Sequence, residues 1–306
     1  MDDCLRVTSS DILIMNTSEL LACALREMSV LQTDDLIKSI GIPARPVTLI
    51  KLQKEIKADD PDLRCIAVLV ASDVTLTVAV LRTVNSSAFG LSRRCETIEQ
   101  AVAMMGLKRL NVIVTGLVLR GVLKGDTERL NRFWDVSDKR SHAMSRLAVG
   151  LKGVDVDMAH SFGLFCDVGI PLLMQRFADY GQTLSACNHE PSESFTQIEH
   201  KRHHTDHALV GAIMARTWDI SQTLCLAIRL HHDYSVFQDT NVPDVVARLI
   251  AMGLIAEVAI HRFSHHISST EWEKGGDYAA GALVLSDHDV EDWIDRLIHD
   301  FAKGTI

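Results

Sequence analysis

The chain has 306 residues and a formal net charge of −9, with 47% hydrophobic and 23% charged residues. This composition is typical of a globular protein that buries a sizeable core. The acidic balance argues against a dedicated nucleic-acid binder, because phosphate contacts need a basic surface. The seven cysteines are scattered without a CxxC pair, which favours a reducing compartment over a disulfide framework.

The N-terminus and the apolar runs bear on location. The chain begins MDDCLRV, without the basic start and apolar core of a signal peptide. The longest apolar run, 249–260, is interrupted by Glu257 and is too short to cross a bilayer. We therefore expect a cytoplasmic protein without a membrane partner.

Helical periodicity dominates the N-terminal third of the chain. Apolar residues recur every three or four positions in four stretches, 10–28, 47–58, 60–72 and 73–90. A segment with Gly41 and two prolines separates the first stretch from the second, and we take it as the entry to the first domain. Asp60 is predicted to be the N-cap of the third helix, with Pro61 at its first helical position.

Further helices follow Thr97. This residue is a predicted N-cap, and Gln100 three positions later would complete a capping box. An apolar helix is predicted over 107–123, and Gly125 and Asp126 mark a domain boundary. The last predicted helix covers 287–304, with acids early and Lys303 at its end, as the helix dipole favours.

These patterns predict an all-α protein in four parts. They are an N-terminal helical extension (1–40), an N-terminal helical subdomain (41–124), a second helical subdomain (125–262) and a C-terminal helical extension (263–306).

Histidines concentrate in the second subdomain, where seven of the 14 fall between 189 and 232. Imidazole and carboxylate groups bind divalent metals when rigid elements aim them at one point, and two metals bridged by an aspartate would activate water for phosphoester hydrolysis. Four places could contribute: His142, Cys166-Asp167, Asp206-His207 and His231-His232.

The spacing of these residues is not diagnostic, because some 24 to 40 positions separate them along the chain. A histidine at a helix end is more often a surface or core residue than a metal ligand. Asp206 is equally explained as an acid favoured at a helix start that Thr205 caps. His203 and His204 are expected in a solvated loop.

Several motifs, taken in order, resemble the HDOD family. In the first half they are the helix-entry segment SDVTL (72–76), the turn NSSAFG (85–90) and the segment 98–110. In the second half they are GLFCDVG (163–169), DHALVGA (206–212) and the histidine pair HH (231–232). The similarity covers about residues 40 to 260. It implies an all-α HDOD/HD-like multi-helix bundle with 125–262 as its HD-like subdomain, used mainly in bacterial signalling and regulation.

The family's distant relation to HD phosphohydrolases implies metal ligands at His142, Cys166, Asp167 and the later histidines. Cys166 stands where the HD motif has its histidine, Ile170 where it has a lysine, and Met252 or a neighbour where a closing aspartate is expected. A thiolate can bind Zn²⁺ or Fe²⁺. However, losing one such group typically costs about 10²–10³ in rate, so three changes predict a degenerate site without catalytic residues.

We therefore expect a regulatory module without a cofactor, which acts through a signalling protein partner or a small-molecule ligand. The sequence also allows a homodimer. The alternative is a metal-dependent phosphohydrolase acting on a nucleotide or cyclic dinucleotide, in which Fe, Mn, Zn or Ni is bound by His142, Asp167, His207, His231 and His232.

Two further expectations follow from the residues. Without metal, a buried Asp167 needs a hydrogen-bonding or cationic partner, for which His142, His207 and His231 are the candidates. The cations Arg82, Arg93, Arg94, Lys108 and Arg109 could form a basic patch for nucleic acid, but a solvated face is the simpler reading in an acidic chain.

Overall fold

The computed structural model describes residues 17–86, 93–123, 127–265 and 269–303. Within these ranges every regular element is a helix, which confirms the predicted all-α class. The helices are α1 (Thr17–Glu27), α2 (Val30–Ile40), α3 (Val47–Ile56), α4 (Leu63–Ala71), α5 (Val74–Val84), α6 (Ile98–Val122), α7 (Thr127–Leu151), α8 (Val156–Phe165), α9 (Gly169–Arg176), α10 (Tyr180–Cys187), α11 (Phe195–His203), α12 (His207–Thr217), α13 (Gln222–Leu230), α14 (Asp244–Phe263), α15 (Thr270–Leu283) and α16 (Asp287–Ala302), with a 3-10 turn at Tyr234–Phe237.

Helices α3 to α6 form one packed group near the start of the chain. Their fully buried aliphatic side chains include Leu49, Ile66 and Val80, and burying each such side chain contributes about 1.5–3 kcal/mol. Helix α6 bends at Gly106, whose φ of 75° and ψ of 163° are not helical. Glycine adopts such angles without steric cost, and the bend separates the two helices that the sequence predicts here.

Helix α14 is central to the second half of the molecule, where it packs against α7, α8, α13, α15 and α16. Eleven of its twenty residues are buried, including Met252, which is 1% exposed. The largest fully buried side chain is Trp218, whose indole N–H donates to the Pro43 carbonyl at 2.9 Å. This bond joins the first domain's entry segment to α12.

Two predicted N-caps need correction, and one predicted capping box is incomplete. The N-cap of α4 is Asp62, not Asp60, because its carboxylate accepts from the Arg64 and Cys65 amides. The N-cap of α12 is Asp206 rather than Thr205. Thr97 does cap α6, but Gln100 accepts from the Glu96 amide at 2.8 Å, so the reciprocal bond of a capping box is not formed.

Among the described residues, two stretches are long and apolar enough to cross a membrane, Ile98–Val122 and Val156–Arg176, and the bent pair of α4 and α5 makes a third if it is taken as one span. The second runs from α8 into α9 and is largely buried. The predicted boundary at Gly125 and Asp126 lies outside the described residues.

Two glycines let helices approach closely in the second half. A Cβ at Gly163 on α8 would lie 2.6 Å from the Cα of Ser141 on α7, and one at Gly169 on α9 would lie 2.1 Å from the carbonyl oxygen of His207. These distances are shorter than van der Waals contact, so only glycine fits. The two contacts set the spacing of α7 to α8 and of α9 to α12.

We expect Gly163→Ala to lower the free energy of unfolding by about 1–3 kcal/mol, because the added methyl group overlaps backbone that cannot move independently. Urea unfolding followed by circular dichroism measures this change. The control is Gly121→Ala in α6, where a Cβ meets no atom within 4 Å, and we expect it to be neutral or stabilising. Equal effects of the two substitutions would contradict this account.

Candidate functional site

Four of the predicted metal-ligating residues come together in one cluster. Asp167 lies in the turn between α8 and α9, His207 is the first residue of α12, and His231 and His232 follow the end of α13. One potential ligand atom from each lies within 4.8 Å of the others. Asp167 thus shares a single site with histidines that lie 40 to 65 positions further along the chain.

Three of these atoms have the spacing of ligands around one ion. The two Nε2 atoms of His207 and His231 are 3.2 Å apart, and Asp167 Oδ1 lies 3.3 Å from His231 Nε2 and 3.7 Å from His207 Nε2. Tetrahedral ligands with bonds of about 2.1 Å lie about 3.4 Å apart. This donor set therefore fits one divalent metal ion.

Each histidine ring is held through its other nitrogen. Nδ1 of His207 lies 2.7 Å from Glu199 Oε2, and Nδ1 of His231 lies 2.7 Å from the Ile228 carbonyl oxygen. Nδ1 of His232 lies 2.6 Å from Glu271 Oε2. Hydrogen bonds of this kind, made through Nδ1, orient histidine ligands at metal sites.

Glu199 is a fully buried carboxylate on α11 whose hydrogen bonds are satisfied. It accepts from the Tyr180 hydroxyl and from the His207 amide. Burial acts to lower the pKa of His207, but the charge and hydrogen bond of Glu199 outweigh it and raise the pKa to about 9. At neutral pH the two residues form a buried ion pair.

Glu271 provides a second buried carboxylate from α15, in the predicted C-terminal extension. It is 3% exposed and accepts from His232 and Tyr234, and from Lys274 at 2.8 Å. Burial opposes ionisation, but these partners hold the pKa of its carboxyl well below the ordinary value. The extension therefore contributes directly to the site.

Arg140 on α7 brings a positive charge into the site. Its Nη1 lies 2.6 Å from Asp167 Oδ2 and 2.9 Å from the Cys166 sulfur. Burial alone would raise the pKa of Asp167, but Arg140 and the hydrogen bond with His231 hold it well below its usual range. Asp167 thus has a cationic partner, as the sequence predicts, but Arg140 supplies it rather than His142; the predicted partners His231 and His207 lie at the other carboxylate oxygen.

Cys166 and Met252 occupy the two positions where the resemblance expects metal ligands. Burial raises the pKa of the Cys166 thiol to about 12, against the opposing charge of Arg140, so the thiol is protonated at neutral pH. Met252 is buried in the core. Glu257 lies on α14, the helix that carries Met252. Its negative charge acts to raise the pKa of Arg140 and of the Cys166 thiol, and burial raises the pKa of its own carboxyl.

The structure does not bring His142 to the cluster. Its Nε2 lies 4.0 Å from Asp300 Oδ2 on α16. His203 is not in a solvated loop as expected: it is 8% exposed in α11 and pairs with the Thr183 hydroxyl at 2.8 Å.

Two of the five cations in the predicted basic patch are paired with acids at the start of α8. Lys108 lies 2.7 Å from Asp155 and Arg109 lies 3.4 Å from Asp157. These pairs reduce the positive charge that the patch can offer to phosphate.

Sequence reasoning missed three residues of the site. Arg140 lies two residues before His142, and nothing in its local pattern distinguishes it from a surface cation. Glu199 was not singled out as a site residue, although a single acid before a histidine-rich helix end is a usable signal. Glu271 lies beyond the resemblance and carries no signal of its own.

Comparisons with known proteins agree with this fold. The sequence model of the HDOD domain matches residues 42–234. An HDOD domain protein of unknown function from Geobacter sulfurreducens superposes with a TM-score of 0.64 at 20% identity, covering 95% of this chain and 97% of its own. A candidate phosphohydrolase from Shewanella amazonensis SB2B has the same TM-score and identity and covers 88% and 95%.

Two further relatives differ in length from this chain. A candidate signal transduction protein from Marinobacter aquaeolei VT8 has a TM-score of 0.64 at 20% identity, over 93% of this chain and 63% of its own. An uncharacterized protein of Treponema pallidum (strain Nichols) is 26% identical over 212 residues, 66% of this chain. The match spans 40% of the length of that curated relative.

We expect Arg140→Met to lower the free energy of unfolding by about 3 kcal/mol, because it leaves the Asp167 carboxylate buried without its main cationic partner. Urea unfolding of the wild type, Arg140→Met, Asp167→Asn and the double variant measures the coupling between the two residues. The double variant should recover part of the loss. If the two single losses simply added, the ion pair would not hold the site together.

Proposed function

This chain belongs to the HDOD family, and we propose that it is a regulatory member whose HD-type site is degenerate and non-catalytic. It would act by binding a signalling protein partner or a small ligand.

The position of the Arg140 guanidinium is the observation that carries this proposal. It bridges Asp167 Oδ2 and the Cys166 sulfur, so it neutralises the carboxylate that a metal ion would otherwise neutralise. The side chain is 8% exposed and comes from the middle of a 25-residue helix. It is therefore part of the packed interior rather than a mobile surface cation.

The charges of the cluster support the same conclusion. Asp167 is neutralised by Arg140, Glu199 by protonated His207, and Glu271 by Lys274. A divalent cation would have to displace the His207 proton and lie close to the Arg140 guanidinium. Both requirements reduce metal affinity, because like charges repel strongly in a buried site of low dielectric.

The remaining differences weaken phosphate chemistry specifically. A transferring or hydrolysing phosphate group needs cationic or hydrogen-bonding groups where its charge develops. Ile170 stands in place of the lysine that the motif would supply, and Arg140 is already engaged by Asp167. The site retains few groups with which to stabilise such a transition state.

A metal-dependent phosphohydrolase is the second candidate, and one observation favours it. The mutual spacing of Asp167 Oδ1 and the two imidazole Nε2 atoms, 3.2 to 3.7 Å, is that of ligands around one ion. Asp167, His207, His231 and His232 would hold Fe, Mn, Zn or Ni. Such an ion would supply a Lewis acid that lowers the pKa of a bound water. Some structural neighbours carry names of this class.

The hydrolysis test uses bis-p-nitrophenyl phosphate and a cyclic dinucleotide, each with Mn²⁺ or Fe²⁺. We expect the wild type to turn over neither substrate faster than the His231→Ala variant does, because Arg140 and the protonated Cys166 thiol replace metal-binding functions. Metal-dependent turnover that His231→Ala abolishes would overturn the non-catalytic proposal and establish the second candidate.

A metal titration separates the ligands from the other histidines. If Mn²⁺ or Zn²⁺ binds at this cluster, His231→Ala should weaken binding at least about tenfold, which is the scale on which metal-site groups act. His142→Ala should leave the affinity unchanged, because His142 lies against Asp300 outside the cluster. Isothermal titration calorimetry on chelator-treated protein gives both constants, and an equal loss in the two variants would show that the metal binds elsewhere.

A further inference from the structure

A cavity lies at the N-terminal end of α13, whereas the histidines of the cluster follow its C-terminal end. Its volume is about 350 Å³ and it opens to solvent, which places it at the lower end of the range for small-molecule sites. It is lined by Leu25, Met28, Arg216, Asp219, Ile220, Gln222 and Cys225.

Three parts of the chain meet at this cavity. Helix α1 supplies Leu25 and is attached to α13 by the ion pair of Glu27 and Arg229 at 2.8 Å. The connector between α12 and α13 supplies Asp219, which pairs with Lys57 at 2.7 Å and Arg45 at 3.1 Å from the N-terminal subdomain. A molecule bound here would therefore contact α1, the α12–α13 connector and α13, next to the ion pairs that join the connector to the N-terminal subdomain.

Arg216 gives the cavity its charge. This half-buried guanidinium donates to the Thr33 hydroxyl at 2.7 Å, and no ion pair joins it to a carboxylate among the residues that the structure describes. Asp219 does not offset it, because that carboxylate is already neutralised by two cations. A largely apolar cavity with an uncompensated cation on its wall favours an anion with an apolar body.

We propose that this cavity binds a small amphipathic carboxylate, with the carboxylate at Arg216 and the apolar chain against Leu25, Met28 and Ile220. The inference rests on the proposed function, since it gives the regulatory module a class of ligand. Helix α13 connects the two places: its first residue, Gln222, lines the cavity, and its last residue, Leu230, directly precedes His231. At 1.5 Å per residue the two ends are about 13 Å apart.

The test titrates octanoate into full-length protein that carries methyl-¹³C methionine, with Met28→Leu assigning the Met28 resonance. We expect saturable binding with a Kd on the order of 10⁻⁴ M and a shift of the Met28 methyl signal. Octan-1-ol, which has the chain without the charge, should bind at least about tenfold more weakly. No saturable binding, or equal binding of the alcohol, would overturn the proposal.

Two variants of Arg216 locate the carboxylate. Arg216→Gln should weaken octanoate binding about tenfold or more, whereas Arg216→Lys, which keeps the charge, should bind within about threefold of the wild type. If Arg216→Gln does not fold, Gln222→Glu gives the same information, because this exposed position lines the cavity and the added anion should repel octanoate. Unchanged octanoate affinity in Arg216→Gln contradicts the assignment. If Gln222→Glu is used in its place, unchanged affinity in that variant contradicts it equally.

The outcome is separable from that of the proposed function. Octanoate binding depends on Arg216 and reports nothing about metal, whereas turnover and metal affinity depend on His231. Metal-dependent hydrolysis together with octanoate binding would remove the non-catalytic proposal and leave the cavity assignment standing. If the protein neither binds octanoate nor hydrolyses phosphodiesters, the cavity assignment is removed and the non-catalytic proposal stands.

Discussion

The buried carboxylate of Asp167 is the constraint around which the second half of the molecule is arranged. Removing an ion from water costs several kcal/mol even after the protein relaxes, so the fold must bring compensating charge to it. Arg140 does this on one oxygen and the imidazoles of His207 and His231 lie at the other. The close helix contacts at Gly163 and Gly169 bring α7 and α12 near enough for these partners to reach.

The same carboxylate is suited to two different kinds of cation. Its Oδ1 faces imidazole nitrogens at the spacing of metal ligands, while its Oδ2 is already bound by a guanidinium. Under the proposed function, the Arg140 guanidinium supplies at this carboxylate the positive charge that a metal ion would otherwise bring. The histidines stay oriented because Glu199, the Ile228 carbonyl and Glu271 hold their Nδ1 atoms, and those bonds stabilise the fold with or without a metal.

The sequence predicts the helices well because apolar periodicity and capping residues are local signals. The break near Gly106 and the cap at Thr97 are examples. Local signals failed at Asp60, because Asp62 two residues later makes a better cap. The cluster of Asp167, His207, His231 and His232 was anticipated from the concentration of histidines and carboxylates, and then from the motif resemblance. Arg140 and Glu271 were not, since each acts across a tertiary contact that no nearby pattern records. His142 was included for its motif position, yet its helix directs it towards Asp300.

Glu271 shows that the region matched by the family is shorter than the region of this chain that folds together. The family match ends at residue 234, but the carboxylate that holds His232 comes from α15, 39 positions further along the chain than His232. Helices α15 and α16 also pack on α14. A fragment that ends at the family boundary would lose α14 and expose the apolar surfaces that pack against it. His232 would also lose the carboxylate that accepts its hydrogen bond. The smallest autonomous unit of this protein therefore extends well into the C-terminal region, and comparisons between relatives trimmed to the shared domain would omit part of the site.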